Sequence, residues 1–427
     1  MDNVTHSLAG LLVAASAVRL RARRDGAEPT ARFRRVAAIS SMVAANLPDA
    51  DLLYTGTGDR RLAYMLYHRG YTHTVIMAIV AAILVWGVAT LALRWPRLAR
   101  ATPQGPETDA NSGSGMRPTG DARWLLALLL VSSLSHLALD WTNSYGVHLF
   151  WPFDDRWSYG DAVFIVEPWF WVVTVPMLVA STRSWIARVL LSLILLAGLV
   201  LAWRTDIVAT GAATALTLGA ALSIVLARVL RPGPRAATAV AGWITVTLMM
   251  VAGSRIARQA TLRAARGVAP SALIADVVVT PLPANAVCMS VISVEREAAT
   301  YRVATARVSA APSITPASRC GMRGGSGPTF RPSTRASTSS VHWDSEWTAP
   351  AIELASLARE SCVTLAALRF IRVPMWREIS DSSLILGDAR FGGASGSGFS
   401  DVTVTRRSTS CPSAPPWTPP RADLLGL

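Results

Sequence analysis

The chain has 427 residues, enough for two or three domains. Half are apolar (51%) and the mean hydropathy is positive, so a purely soluble enzyme is a poor fit. The net charge is +14, all 41 basic side chains are arginine, and they gather between apolar blocks; that pattern points to membrane topology and away from nucleic-acid binding.

Taken in chain order, apolar segments fall at 7–18, 36–47, 74–93, 123–141, 162–182, 185–203, 207–227 and 236–254. A bilayer core needs about 20 helical residues. The first two segments are shorter than that and read as a tucked-in or interfacial hairpin. The other six are long enough to span. No cleavable signal peptide is expected, because the first apolar run follows an acidic, histidine-bearing start.

The connecting loops differ sharply in charge. RLRARRDGAEPTARFRR carries seven arginines in residues 19–35. A Pro/Gly/Ser-rich linker at 94–123 has arginine at both ends. Arg183 and Arg188 flank the next turn, and Arg228, Arg231 and Arg235 the one after. The positive-inside rule places all four loops in the cytoplasm. Arg255, Arg258, Arg263 and Arg266 follow the last segment at near-helical spacing, which suggests an interfacial helix on the other side.

From about residue 268 the pattern changes. ADVVVTPLP, CMSVISVE, TYRVATARV and SDVTVT alternate or are β-branched, as strands do. WTAPAIELASLARESCVTLAAL has helical spacing. The expected fold is mainly α, a polytopic helical membrane bundle followed by a small α+β extramembrane domain. The expected divisions are 1–182, a helical membrane domain with the candidate site; 183–266, additional transmembrane helices; 267–405, the α+β domain; and 406–427, a disordered Pro-rich tail. Cys288, Cys320, Cys362 and Cys411 form no CxxC pair, so a zinc knuckle is not expected. If the last segment exits opposite the arginine loops, this domain is extracytoplasmic and disulfides are permitted. Three pairings exist, sequence does not choose among them, and Cys411 in the tail is the least constrained.

The residues with chemistry sit at helix ends. Five of the six histidines lie in the first 148 residues, and carboxylates accompany them in MDNVTHSLAG, NLPDAD, YHRGYTH and SHLALDWTNSYG. His6 opens the first segment. Asp49 and Asp51 follow Pro48, where a helix should stop. His68 and His73 precede the third segment. His136 and Asp140 share a helix face near the end of the fourth. In VTHS and YTHT a threonine in cap position precedes a histidine that opens a helix. On the arginine-based topology all these groups converge on one face of the bundle. Neutral imidazole and carboxylate suit zinc or a similar divalent ion, with manganese as the alternative. Three or four ligands with an open position would let the ion lower the pKa of a bound water to about 7. Taken singly, each group has a plainer reading as a cap, a turn or a surface residue. His148 reads as a loop residue and His342 as surface.

MDNVTHSLAG, NLPDADLL, HRGYTHT, SHLALDWTNSYGVHLFWPF and DAVFIVEPWFW, over residues 1–175, resemble the bacterial inner-membrane, metal-dependent hydrolases of the YdjM type. FIRVPMW and SLILGDARFG look like longer members of that family. The resemblance implies a membrane-embedded helical domain and a hydrolase activity without a named substrate. It is also reminiscent of the zinc-dependent phospholipase C and single-strand nuclease group. Carried onto this chain, the implied metal ligands are His6, Asp49, His68 or His73, His136 and Asp140, with Glu167 where the family usually has Asp.

The expected function is therefore a membrane-bound hydrolase acting on a phosphoester or lipid-linked substrate. Asp51 is the expected general base or orienting residue, and Arg69 neutralises an anionic substrate. The bilayer is the expected partner and nucleic acid is not. Two rivals stand beside this reading. One is a non-enzymatic transporter or envelope-stress factor whose cluster binds metal structurally or relays protons. The other is an adaptor whose C-terminal domain does the work.

Overall fold

The computed structural model describes residues 1–53, 55, 60–94, 118–321, 330–406 and 411–425. The chain opens with two helices, α1 (Asn3–Asp25) and α2 (Ala31–Asn46), longer than the expected segments. Asp2, not Thr5, caps α1: its carboxylate accepts from the Thr5 N–H at 2.9 Å. The two helices approach closely because Gly10 has no side chain. A Cβ there would lie 2.6 Å from the Ser41 carbonyl oxygen. This contact brings His6 toward the end of α2, where the chain passes into a 3₁₀ stretch (Leu47–Leu53) carrying Asp49 and Asp51.

A short helix α3 (Arg60–Tyr67) and a 3₁₀ turn (Tyr71–His73) lead into α4 (Val75–Arg94). Thr74, one residue after His73, supplies the side-chain oxygen that caps α4 by accepting from Met77 N–H. The expectation that the threonine before each histidine is the cap is thus corrected at both sites. Then come α5 (Pro118–Trp141), α6 (Pro168–Ser181), α7 (Trp185–Arg204), α8 (Thr210–Val229) and α9 (Pro232–Val268). The linker expected at 94–123 lies mostly outside the described residues.

Among the described residues, five helices are long and apolar enough to cross a bilayer: α4, α5 from Gly120, α7, α8 and α9. The segment expected at 162–182 is not one of them. Its helix α6 has 14 residues, because the chain before Pro168 runs irregularly and Glu167 caps the helix start. A further correction concerns the arginines after residue 254. They do not form a separate interfacial helix but continue α9. There Ala257 and Ala265 pack into one core with Val277, Val279 and Val291 of the sheet, and Arg258 donates to the Val277 carbonyl at 2.6 Å.

The arginine-bearing ends meet on one face. Arg21 pairs with Asp121 at the start of α5 at 2.5 Å. Arg32 donates to the Ala92 carbonyl at the end of α4, and Arg235 to the Ala180 carbonyl at the end of α6. The His/Asp ends of the same helices therefore lie at the opposite face.

The C-terminal domain is built on an antiparallel sheet ordered β1-β2-β3-β5-β4: β1 (Leu273–Leu282), β2 (Asn285–Glu297), β3 (Thr300–Ser309), β4 (Arg331–Pro332) and β5 (Val341–Pro350). A three-stranded sheet follows two helices, α10 (Ala351–Glu360) and α11 (Cys362–Ala367). Its strands are β6 (Pro374–Ser380), β7 (Ser383–Asp388) and β8 (Val402–Thr405). The tail is not disordered where described. Cys411 is bonded to Cys362, Trp417 is buried, and α12 (Ala422–Leu425) buries Leu424 and Leu425. This Pro-rich stretch thus buries its tryptophan and two of its leucines beside a disulfide. The second disulfide joins Cys288 and Cys320. One core runs from Leu62, Met65 and Leu66 of α3 to Phe370, Ile371 and Trp417, so the C-terminal domain packs on the His/Asp face of the bundle.

Candidate metal centre

Four ligand atoms meet where the 3₁₀ stretch after α2, the loop before α4 and the end of α5 come together. His73 Nε2 lies 3.3 Å from Asp49 Oδ1 and 3.1 Å from Asp140 Oδ2. His136 Nε2 lies 3.6 Å and 3.3 Å from the same two oxygens. The two Nε2 atoms are 3.1 Å apart. An ion bound by nitrogen or oxygen at about 2.0–2.1 Å in a tetrahedron separates its ligands by about 3.3 Å. Five of the six edges of such a tetrahedron are present here, within a few tenths of an ångström.

The surrounding bonds suit the same use. His136 donates from Nδ1 to the Ala45 carbonyl at 2.7 Å, which leaves the Nε2 lone pair facing the cluster. Asp140 Oδ2 is buried and faces the Nε2 atoms of His73 and His136. All four side chains are buried. Asp49 is also shared with a second ligand group that adds Asp51 and His68.

His6 stands beside this set and outside it. It stacks on His136, ring centroids 3.8 Å apart, with Nε2 3.3 Å from Asp140 Oδ1, and neither ring nitrogen has a hydrogen-bond partner. The amino group of Met1 also contacts Asp140. Arg69 Nη2 sits 3.0 Å from Asp140 Oδ1, and Nη1 donates to Asn143 Oδ1 at 3.1 Å. Asp51 accepts at both oxygens: from His68 Nδ1 at 2.9 Å on one, and from the Arg69 N–H at 3.0 Å and Thr72 Oγ1 at 2.8 Å on the other. His73 Nδ1 lies 3.4 Å from that second oxygen.

These contacts set the charges at the loop. Burial works to raise Asp51, but its bonds with His68 and His73 outweigh it and hold the carboxyl below its ordinary range. Asp49 is held low in the same balance, by His73 and His136. Burial lowers His68 despite Asp51. Burial also works against a charged His73, yet its bonds with Asp140, Asp49 and Asp51 push it up to about 10. A cation entering here takes the place of a proton, so its retention should weaken as pH falls.

Glu167 is not brought to the cluster. It caps α6, accepting from Trp169 N–H and from Ala284 N–H in the β1–β2 turn, both at 3.2 Å, and burial pushes it up to about 8. Its place as a ligand is corrected: the carboxylate is committed to two backbone donors from another part of the chain. His148 is a loop residue as expected, though buried between Trp157 and Trp417. His342 lies on β5, 3.9 Å from Asp344 and remote from the cluster. Thr72 is expected from sequence only as a cap, and Asn143 and Tyr145, whose ring lies 4.8 Å from the Arg69 guanidinium, carry no expectation, although all three lie in stretches that carry the family pattern.

The model of the YdjM inner membrane protein family matches residues 1–207. Over that stretch the chain is similar to the family. The five bilayer-length helices among the described residues agree with a multi-pass protein of the inner membrane. The match takes in His73, His136, the three aspartates and Arg69, and it stops between α7 and α8. No curated protein and no solved structure matches the chain.

Proposed function

We propose that this YdjM-like protein is a membrane-bound, metal-dependent hydrolase. The observation that carries the reading is the buried convergence of Asp49, His73, His136 and Asp140 at tetrahedral separations, beside a buried arginine. The four residues would hold a divalent ion, zinc first and manganese second. When bound, such an ion acts as a Lewis acid and brings the pKa of water to about 7.

The residues around it divide the remaining work. Asp51 orients His68, His73 and the Arg69 backbone; with its oxygens occupied and its carboxyl held low, it suits orientation better than proton abstraction. Arg69 uses both Nη groups on Asn143 and Asp140. Its Nε and the Asn143 Nδ2 have no partner, which leaves two donors for an anionic group such as a phosphoester. The site lies where α4 begins and α5 ends, so a lipid or lipid-linked substrate in the bilayer interface is the class favoured. Detergent-purified protein should hydrolyse a phosphoester or phospholipid in a metal-supplemented panel and lose that activity on chelation. Silence across the panel with metal bound would favour the proton-relay rival, which the chain of contacts His68–Asp51–His73–Asp140–His136 also supports.

The site and the C-terminal domain share a face, and we place that face outside the cytoplasm. The arginine loops support this by the positive-inside rule, and the two disulfides by their need for an oxidising compartment. Because all four cysteines are bonded, a single introduced thiol can be labelled in the native chain. A membrane-impermeant maleimide should reach Leu53→Cys in intact cells and miss Ala27→Cys. Labelling of position 27 alone would reverse the orientation.

A further inference from the structure

The loop between α3 and α4 presents His68, Arg69 and His73, and its own backbone does little to hold it. The hydrogen bonds within reach are His68 N–H to Tyr64, Gly70 N–H to Tyr67 and His73 N–H to Gly70. Arg69 has φ 61°, a left-handed conformation uncommon for a residue with a side chain. Asp51 braces the loop from the ligand side.

Trp417 braces it from the other side. The side chain is 1% exposed, and its Nε1–H donates at 3.0 Å to the Leu66 carbonyl, one of the acceptors left over at the end of α3. A Cβ on Gly70 would lie 2.9 Å from the indole Cζ2, so the ring lies directly on the loop backbone. The indole also stacks on His148, centroids 3.9 Å apart, and packs on Tyr71 at 4.8 Å. The segment carrying it is pinned at both sides. Cys411 is bonded to Cys362, Tyr67 Oη donates to the Ser413 carbonyl at 3.1 Å, and Thr418 Oγ1 donates to Asp155 at 2.8 Å.

We propose that Trp417 is the positioning residue of the His68–His73 loop, and that the Cys362–Cys411 disulfide holds the strap that delivers it. Trp417 touches no ligand atom. It acts through Leu66 and Gly70, fixing the backbone from which both histidines project. The C-terminal domain is thereby part of the site's construction, although every ligand comes from the N-terminal half.

The first readout needs no metal: amide hydrogen exchange of residues 66–75 in the full chain, purified in detergent and treated with chelator. Trp417→Ala is expected to speed exchange in this loop about tenfold or more while β2 and β3 keep their rates. Trp417→Phe retains the wedge and is expected to recover most of the protection. If Trp417→Ala unfolds the domain, the paired Cys362→Ser/Cys411→Ser variant carries the test, with faster loop exchange and an unchanged sheet expected. Unchanged loop exchange in a variant that keeps its sheet protected would overturn the proposal. The second readout rests on the proposed metal function. Zinc affinity, measured by chelator competition, should fall about 10- to 100-fold in Trp417→Ala and largely return in Trp417→Phe. Wild-type zinc affinity in a variant with a loosened loop would also overturn it. A wild-type protein that takes up no zinc would sink the metal reading and leave the exchange result to decide the strap.

Discussion

Replacing His136 and Asp140 together by alanine is expected to remove most of the zinc from detergent-purified protein, which should carry about one to two equivalents in the wild type. Between them these two residues account for four of the five close ligand separations. They also lie four apart on α5, so both project from one helix face. Asp140 has a further duty. It is the carboxylate facing Arg69, which is 3% exposed, so its loss leaves a buried cation unpaired. Such unpairing costs on the order of 3–5 kcal/mol, and the double variant should melt earlier for that reason alone. His136→Ala alone separates the two effects. It removes one ligand but keeps the Asp140 carboxylate on Arg69, so it should stay folded and still lose metal. Metal content is read by elemental analysis against protein concentration. Full occupancy in the double variant would remove this cluster as the site.

Much of the site was legible because helix ends are local features. Pro48 stops α2, polar residues interrupt apolar runs on both sides of α4, and His136 and Asp140 are one helical turn apart. With arginine loops marking one face, the remaining ends had to meet at the other. Glu167 was misassigned because a carboxylate before a proline-led helix looks alike whether it ligates or caps. Only the β1–β2 turn, more than a hundred residues away, decides between the two. The extent of segment 162–182 failed for a related reason: apolar composition continues through DAVFIVE, but the backbone there bonds to Thr142 and Asn143 instead of forming a helix. The tail failed because its composition predicts disorder while a disulfide and one tryptophan hold it. Neither the pairing of Cys411 nor the pocket for Trp417 leaves any periodic trace.

Replacing Arg372 by methionine is expected to loosen the C-terminal domain from the bundle more than any other single change in that domain. Its guanidinium is bidentate to Asp161, both bonds 2.8 Å, and bonds Asp276 at 2.8 Å and 3.2 Å while lying over the Tyr159 ring at 4.0 Å. Asp161 belongs to the YdjM-like part, Asp276 to β1, and Arg372 to the segment before β6. One side chain thus ties three separate stretches together. With the arginine gone, Asp161 and Asp276 lose the guanidinium they share, and Asp276 keeps the Val277 N–H and the more distant Arg258, at a cost of about 3–5 kcal/mol. For a domain of this size that is a fall in melting temperature on the order of 10 °C. Arg372→Lys should recover only part of it, because an ammonium cannot span two carboxylates bidentately. Adding Asp161→Asn and Asp276→Asn to the methionine variant should restore much of the loss, since the penalty lies in the unpaired charges and not in the missing contact. Melting followed by tryptophan fluorescence reads all three variants. If the methionine variant melts with the wild type, the clasp contributes nothing net. The domain would then be held by the apolar core around Phe370, Ile371 and Trp417, which also lies directly behind the His68–His73 loop.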